Sequence, residues 1–223
     1  NVGLAELQKD GIRGFTEDAQ DGAIDQQEIK EILLGKLNQN FKWVVEKSNF
    51  FSQEDCDFMI EYIDKESTRK QGHYTGEENP VWEEEPVMDD GVCMLNISRT
   101  TEQKYLDKFW TAIKIADQTI YKYNIKGIYD NRLQAHRYDV GDWYNPHSDF
   151  HPIKRFSSVK LTCIVFLNTD YEGGEFSLFD GTIVKPEVGK LIIHPSFAGH
   201  GVSPITKGNR YSCVCWGVGD TFV

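Results

Sequence analysis

The chain has 223 residues, of which 39% are hydrophobic and 13% aromatic; it can bury one substantial core and does not have the composition of a disordered chain. A formal net charge of −11 argues against the clustered Lys and Arg that phosphate backbones require, so no nucleic-acid partner is expected and a neutral or basic substrate fits better. No run approaches a membrane span, no signal-peptide pattern opens the chain, and the five cysteines form no CxxC pair, so a reducing, cytoplasmic setting is expected.

Residues 1–40 are polar, with Ile29, Ile32, Leu33 and Leu37 at helical spacing, and read as an N-terminal helical extension. Within them, Glu17 to Glu28 has Gly22, Ile24 and Glu28 at the glycine, hydrophobic and final acidic positions of a calcium loop. Glu17 and Ala19 spoil its first and third positions, which favours a plain helix start. Phe41 to Lys47 alternates as a strand. Ser52 followed by Asp55 resembles a capped helix start, with Phe51 before it and Phe58, Met59, Tyr62 and Ile63 offered for burial before the helix ends near Lys65. From Thr68 to Asp90 periodicity is lost among acidic residues, Gly and Pro, which reads as a long loop suited to a lid or to simple mobility.

A second helix is expected from Thr101 to Tyr123, with Leu106, Phe109, Trp110, Ile113 and Ile120 on its apolar side. Beyond Asn131 the texture becomes short strands broken by turns: 132–139, 159–167, 175–179, 182–184, 190–194 and 210–217. Helices first and closely spaced strands afterwards predict an α+β domain whose strands close into a two-sheet roll. Cys213 and Cys215 share one strand face and read as small apolar packing groups.

His147 and Asp149 stand two apart, so on a strand both point to one side and can serve one ion. A third ligand from a distant strand, His200 by this reading, would complete two histidines and a carboxylate, the set that leaves open positions on non-haem Fe(II). His194 rivals His200, and His151 extends the pattern to HxDxH and could cap a zinc site instead. His136 and His73 read as ordinary polar residues, and Gly173 and Gly174 as a tight turn.

The segments QAHRYDVGDWYNPHSDF and GKLIIHPSFAGHGVSPITKGNRYSCVCW carry a longer pattern, RYxxGxxYxxHxD, then a GGE turn, then HxVxPxxxGxRYxxxxW. In that order, and with NFFSQEDCDFMI and LTCIVFLNTDYEGGEF between about Phe41 and Trp216, the chain resembles the Fe(II)- and 2-oxoglutarate-dependent dioxygenases of the prolyl 4-hydroxylase type. The resemblance implies a double-stranded β-helix, or jelly-roll, core with supporting N-terminal helices, a catalytic domain over 41–223, and a metal-binding core over about 131–217. It makes His147, Asp149 and His200 the iron ligands and Arg210 the partner of the distal carboxylate of 2-oxoglutarate, for which a guanidinium fork is well shaped.

It also places Tyr138 near the cosubstrate, with Thr162 assisting, and puts Tyr144, Trp216 and Gln134 along the substrate side. Phe166 stands where several relatives have a tyrosine, and Val214 where some have a threonine, so Arg210 carries more of the carboxylate contact here. The implied reaction couples decarboxylation of 2-oxoglutarate, with O2, to hydroxylation of a peptidyl proline or a related amino-acid substrate, with ascorbate as reductant. Two other readings are an oxidative nucleic-acid demethylase, opposed by the acidic charge and by Trp216 in place of a second arginine, and a non-catalytic roll binding a metal or sugar.

Overall fold

The computed structural model describes residues 44–74, 80–83, 93–150 and 157–221. The N-terminal extension, its calcium-loop-like segment 17–28 and His151 lie outside the described residues. In chain order the elements are β1 (Val45–Lys47), α1 (Gln53–Glu66), β2 (Thr68–Tyr74), β3 (Pro80–Glu83), β4 (Cys93–Thr100) and α2 (Gln103–Ala116), which runs into a π-helical turn at Asp117–Tyr121. Then come β5 (Gly127–Ile128), β6 (Leu133–Tyr138), β7 (Trp143–His147), β8 (Val159–Phe166), β9 (Glu172–Gly173), β10 (Phe176–Leu178), β11 (Ile183–Val184), β12 (Leu191–Pro195), β13 (His200–Val202), β14 (Ile205–Lys207) and β15 (Arg210–Val218).

The strands pair antiparallel in the order β1-β12-β8-β15-β6-β4-β7-β13-β10-β11. β4 makes the corner: Asn96 to Thr100 pair with β6, while Cys93 and Met94 pair with β7, so one strand carries the sheet over into a second layer. The result is a curled antiparallel sheet of jelly-roll type.

Strand periodicity divides the core in two. On β8 every residue is buried, with Leu161, Cys163 and Val165 packing under the helices and Ile164 and Phe166 facing the inside of the roll. Cys213 and Cys215 of β15 fall on the helix side with no exposure, as small apolar groups should. The inner cluster joins Tyr138, Ile164, Phe166 and Val214 to Phe176 and Val202 of the opposite layer.

Ser52 caps α1 in a full capping box with Asp55, and the same carboxylate takes Lys104 and Lys108 of α2 at 2.5 Å each, tying the two helices together. Met59 and Ile63 are buried as expected, whereas Phe58 and Ile120 stay on the surface.

Three expectations need correction. The segment read as one long loop holds the hairpin β2–β3, with β2 added to β4 in register from Thr68↔Ile97 to Gly72↔Cys93; backbone pairing builds it without apolar alternation. The second helix stops short of Tyr123 because Lys122 turns left-handed at φ 59°, while the Asp117 carboxylate accepts from the amides of Tyr123 and Ile125. β4 was not expected as a strand, whereas β7 and β13, expected only as strands bearing His147 and His200 and given no bounds, prove to position the site. Among the described residues no helix is long and apolar enough to cross a membrane.

Candidate metal centre

β7 and β13 are antiparallel neighbours in the sheet, and their register sets His147 beside His200. The register then slips, because three residues of β7 span two of β13, and the extra residue bulges at Asn145–Pro146. Gly201 makes this possible, since a Cβ there would lie 3.0 Å from the Tyr144 carbonyl and 3.1 Å from Pro146 N. The bulge leaves Tyr144 stacked flat on the His147 ring, centroids 3.8 Å apart.

Asp149 is not on the strand with His147, contrary to the simple two-residue argument: β7 ends at His147 and Asp149 sits in the bend beyond. Its direction is set by the turn after β12 instead. The Ser196 carbonyl accepts from the Asp149 amide at 3.0 Å, the Phe150 amide at 3.1 Å and the Ser148 hydroxyl at 2.9 Å. Ser196 is itself fully buried and pinned to β8 through Val159 O and Lys160 O.

His147, Asp149 and His200 thereby come together with ligand atoms all within 4.8 Å of one another. His147 Nε2 lies 3.5 Å from one oxygen of Asp149, and His200 Nε2 lies 3.6 Å from the other. His147 Nδ1 donates to Asn145 O at 2.8 Å and His200 Nδ1 donates to Ala198 O at 3.1 Å, so in the neutral rings both Nε2 lone pairs face the carboxylate. Two imidazole nitrogens and a carboxylate so directed fit a divalent metal.

The carboxylate is oriented by two groups in register on adjacent strands. Thr162 of β8 and Trp216 of β15 are cross-strand partners, and both donate to Asp149 Oδ2, the hydroxyl at 2.6 Å and the indole N–H at 2.9 Å. Thr162 was expected beside the cosubstrate; its hydroxyl donates to Asp149. Nothing in the sequence marks these contacts, because they depend on strand register. Outer contacts of this kind typically govern metal affinity tenfold or more. Trp216→Phe keeps the ring and removes the donor, so metal affinity should fall by about tenfold with stability shifted by less than about 1 kcal/mol. Equal affinities in a Mn(II) titration of the two proteins would show the contact to be idle.

Arg210 is 1% exposed and has no carboxylate partner among the described residues. Its guanidinium lies between the rings of Tyr138 and Phe166, 5.2 and 5.4 Å from their centroids, and donates to Ser212 Oγ at 3.1 Å, while its Nε has no partner. Gly174, at φ 64°, clears the stem: a Cβ there would sit 3.1 Å from Arg210 Cδ. A buried cation so poorly compensated fits an anionic guest. Tyr138 and Arg210 are register partners and stand side by side on one inner wall. Gln134, expected along the substrate side, shares that wall and contacts His136, whose Nε2 lies 3.1 Å from its Oε1.

Burial pushes the His200 and His136 imidazoles down to about 3; Asp149 partly opposes this at both, and the Arg210 charge adds to it at His136. Burial alone would raise the Asp149 carboxyl, but His200, His147 and the Thr162 hydroxyl outweigh it and hold it well below the usual carboxylate range. In the unfolded chain the two imidazoles take up protons near 6.5, so between pH 6.5 and about 3 the unfolded state binds more protons and stability falls as pH falls. Metal-free protein should lose up to about 1.4 kcal/mol per pH unit for each imidazole over that window. Urea midpoints recorded from about pH 7 down to about pH 5 test this, and a flat profile contradicts it.

Two histidines and one carboxylate gathered inside an antiparallel roll form a ligand set suited to a non-haem metal with open positions, and a buried arginine lies within the same roll. Residues 133–217 match the model of the 2OG-Fe(II) oxygenase superfamily. The matched segment, which carries His147, Asp149, His200 and Arg210, is similar to this superfamily.

Among curated proteins it is 39% identical over 85 residues to a PKHD-type hydroxylase of Synechococcus sp. (strain CC9902), covering 36% of this chain and 38% of that protein. It is 36% identical over 90 residues to a PKHD-type hydroxylase of Parvibaculum lavamentivorans, covering 38% and 41%. The match thus spans about two fifths of the length of these relatives. In fold it is similar to a Pseudomonas putida prolyl-4-hydroxylase, with TM-score 0.60 and 16% identity over 83% of this chain and 96% of the other. It is likewise similar to a Trichoplax adhaerens prolyl hydroxylase solved with a hypoxia inducible factor peptide fragment, with TM-score 0.59 and 18% identity over 89% and 95%.

Proposed function

We propose that this protein is an Fe(II)- and 2-oxoglutarate-dependent dioxygenase that hydroxylates an unactivated C–H bond, with peptidyl proline as the substrate. The observation that carries the reading is the joint presence of the His147, Asp149 and His200 group and, on the other layer of the roll, the buried guanidinium of Arg210, which has no carboxylate partner among the described residues. The names of the relatives, PKHD-type hydroxylases and prolyl hydroxylases, one of them with a bound peptide, support the choice of reaction and of a peptide.

In this reading His147, Asp149 and His200 hold the iron, which, when bound, supplies oxygen activation coupled to decarboxylation of 2-oxoglutarate to succinate and CO2. Thr162 and Trp216 hold the carboxylate of Asp149 in place, and Tyr144 fixes the plane of the His147 ring. Arg210 fixes the distal carboxylate of 2-oxoglutarate through charge-assisted hydrogen bonds, with Tyr138 and Phe166 excluding water around it. Tyr144 at the mouth and Gln134 within the wall line the approach of the substrate, and ascorbate would serve as the reductant.

The test uses purified protein, Fe(II) and carboxyl-labelled 2-oxoglutarate. CO2 release is expected with the wild type and absent with His147→Ala and with Asp149→Ala, and turnover by either variant rejects the assignment. Incubation with proline-rich peptides, free proline and a host lysate, read by mass spectrometry for a gain of one oxygen atom, tests the substrate class.

A further inference from the structure

His194 is fully buried on β12, where its register partner is Thr162, itself the partner of Trp216. Three neighbouring strands therefore set His194, Thr162 and Trp216 in a row on the inner wall, and the last two donate to Asp149. The His194 ring lies edge to face against His200, centroids 4.7 Å apart, with Phe176 at 5.9 Å. Its Nδ1 donates to Pro195 O at 2.9 Å, while its Nε2 is buried with no hydrogen-bond partner among the described residues. The carbonyl of Pro195 can only accept, so Nδ1 holds the proton and Nε2 of the neutral ring carries a bare lone pair.

A buried acceptor left empty is uncommon and calls for a partner. It is not a fourth ligand: His194 falls outside the set whose ligand atoms lie within 4.8 Å of one another. Trans ligands with metal–nitrogen bonds of about 2.1 Å stand at most about 4.2 Å apart, so His194 cannot share the ion without moving. Nor does it suit 2-oxoglutarate, whose keto and carboxylate oxygens only accept. The partner must be a donor of small size deep in the site, and a water on a divalent metal offers polarised O–H groups there.

We propose that His194 is a positioning residue whose Nε2 accepts a hydrogen bond from a water on the metal held by His147, Asp149 and His200. This rests on the metal-centre reading above. It makes the position of that water, and the ease with which it leaves, a property of β12 as well as of the ligands.

The test compares wild type, His194→Phe, His194→Leu and His194→Gln after loading with Mn(II), using EPR for affinity and water relaxation for the lifetime of the bound water. The apolar variants should keep Mn(II) affinity within about threefold and shorten the water lifetime by about fivefold, the loss of one hydrogen bond, and Gln, which retains an acceptor oxygen, should restore it. His194→Leu provides the apolar variant if the phenylalanine does not fold. Unchanged lifetimes in an apolar variant that binds Mn(II) overturn the proposal and leave the metal centre standing. So does a collapse of Mn(II) affinity in these variants alone, which would make His194 a ligand. A wild type that binds no Mn(II) overturns the metal-centre reading and this proposal together.

Discussion

An Asp149→Asn variant is expected to bind Fe(II) or Mn(II) more than about 100-fold more weakly than the wild type, since mere outer-sphere partners already govern 10- to 100-fold. The substitution keeps the shape of the side chain and removes the only carboxylate in the group His147, Asp149 and His200. It also disturbs a built arrangement, because Thr162 and Trp216 both direct donors at Oδ2, and an amide accepts them with one oxygen and no charge. The bend itself should survive, because the Ser196 carbonyl grips the backbone of Asp149 and Phe150 and not the carboxylate. Folding stability is therefore expected to change by about 1 kcal/mol while metal binding is lost. A Mn(II) titration followed by EPR decides the matter, and an affinity within about tenfold of wild type would remove Asp149 from the centre.

Arg210→Met is expected to raise the stability of the free protein and to destroy 2-oxoglutarate binding, two effects of opposite sign from one side chain. The guanidinium is 1% exposed, holds one hydrogen bond to Ser212 and has an unpartnered Nε. Apolar replacement of buried charge is often stabilising by about 1–4 kcal/mol. Loss of a charge pair with a bound carboxylate costs about 2–5 kcal/mol, which is roughly a 30- to several-thousandfold rise in the dissociation constant. Arg210→Lys separates charge from geometry, since it keeps the cation and gives up the fork. Calorimetric titration of Mn(II)-loaded protein with 2-oxoglutarate, beside a urea melt, reads both effects. Unaltered affinity in the methionine variant would assign Arg210 to structure alone.

The resemblance explains why so much of the site was legible. The spacing RYxxGxxYxxHxD…HxVxPxxxGxRY marks side chains whose chemistry is local, and the strands that bear Tyr138, His147, His200 and Arg210 stand where that pattern put them. The capping box at Ser52 and Asp55 was legible for the same reason, because its partners are three residues apart. The hairpin β2–β3 was not, since its pairing with β4 is backbone to backbone and leaves no alternation to read. The strand argument for Asp149 reached a correct neighbourhood by a wrong route. The carboxylate lies beyond β7 and is aimed by Ser196, nearly fifty residues later.

By itself, the sequence determined the residue types that can grip a metal and an organic acid, their order, and a chain of short strands able to curl into a roll. Only the tertiary structure decided that Thr162 and Trp216 share one oxygen of Asp149, that Tyr144 lies flat on His147, and that His194 stands behind His200 with an empty nitrogen. The physical reason is register: which residues of two strands become neighbours depends on bulges, corners and turns summed over the whole sheet, as where Gly201 admits the bulge at Pro146.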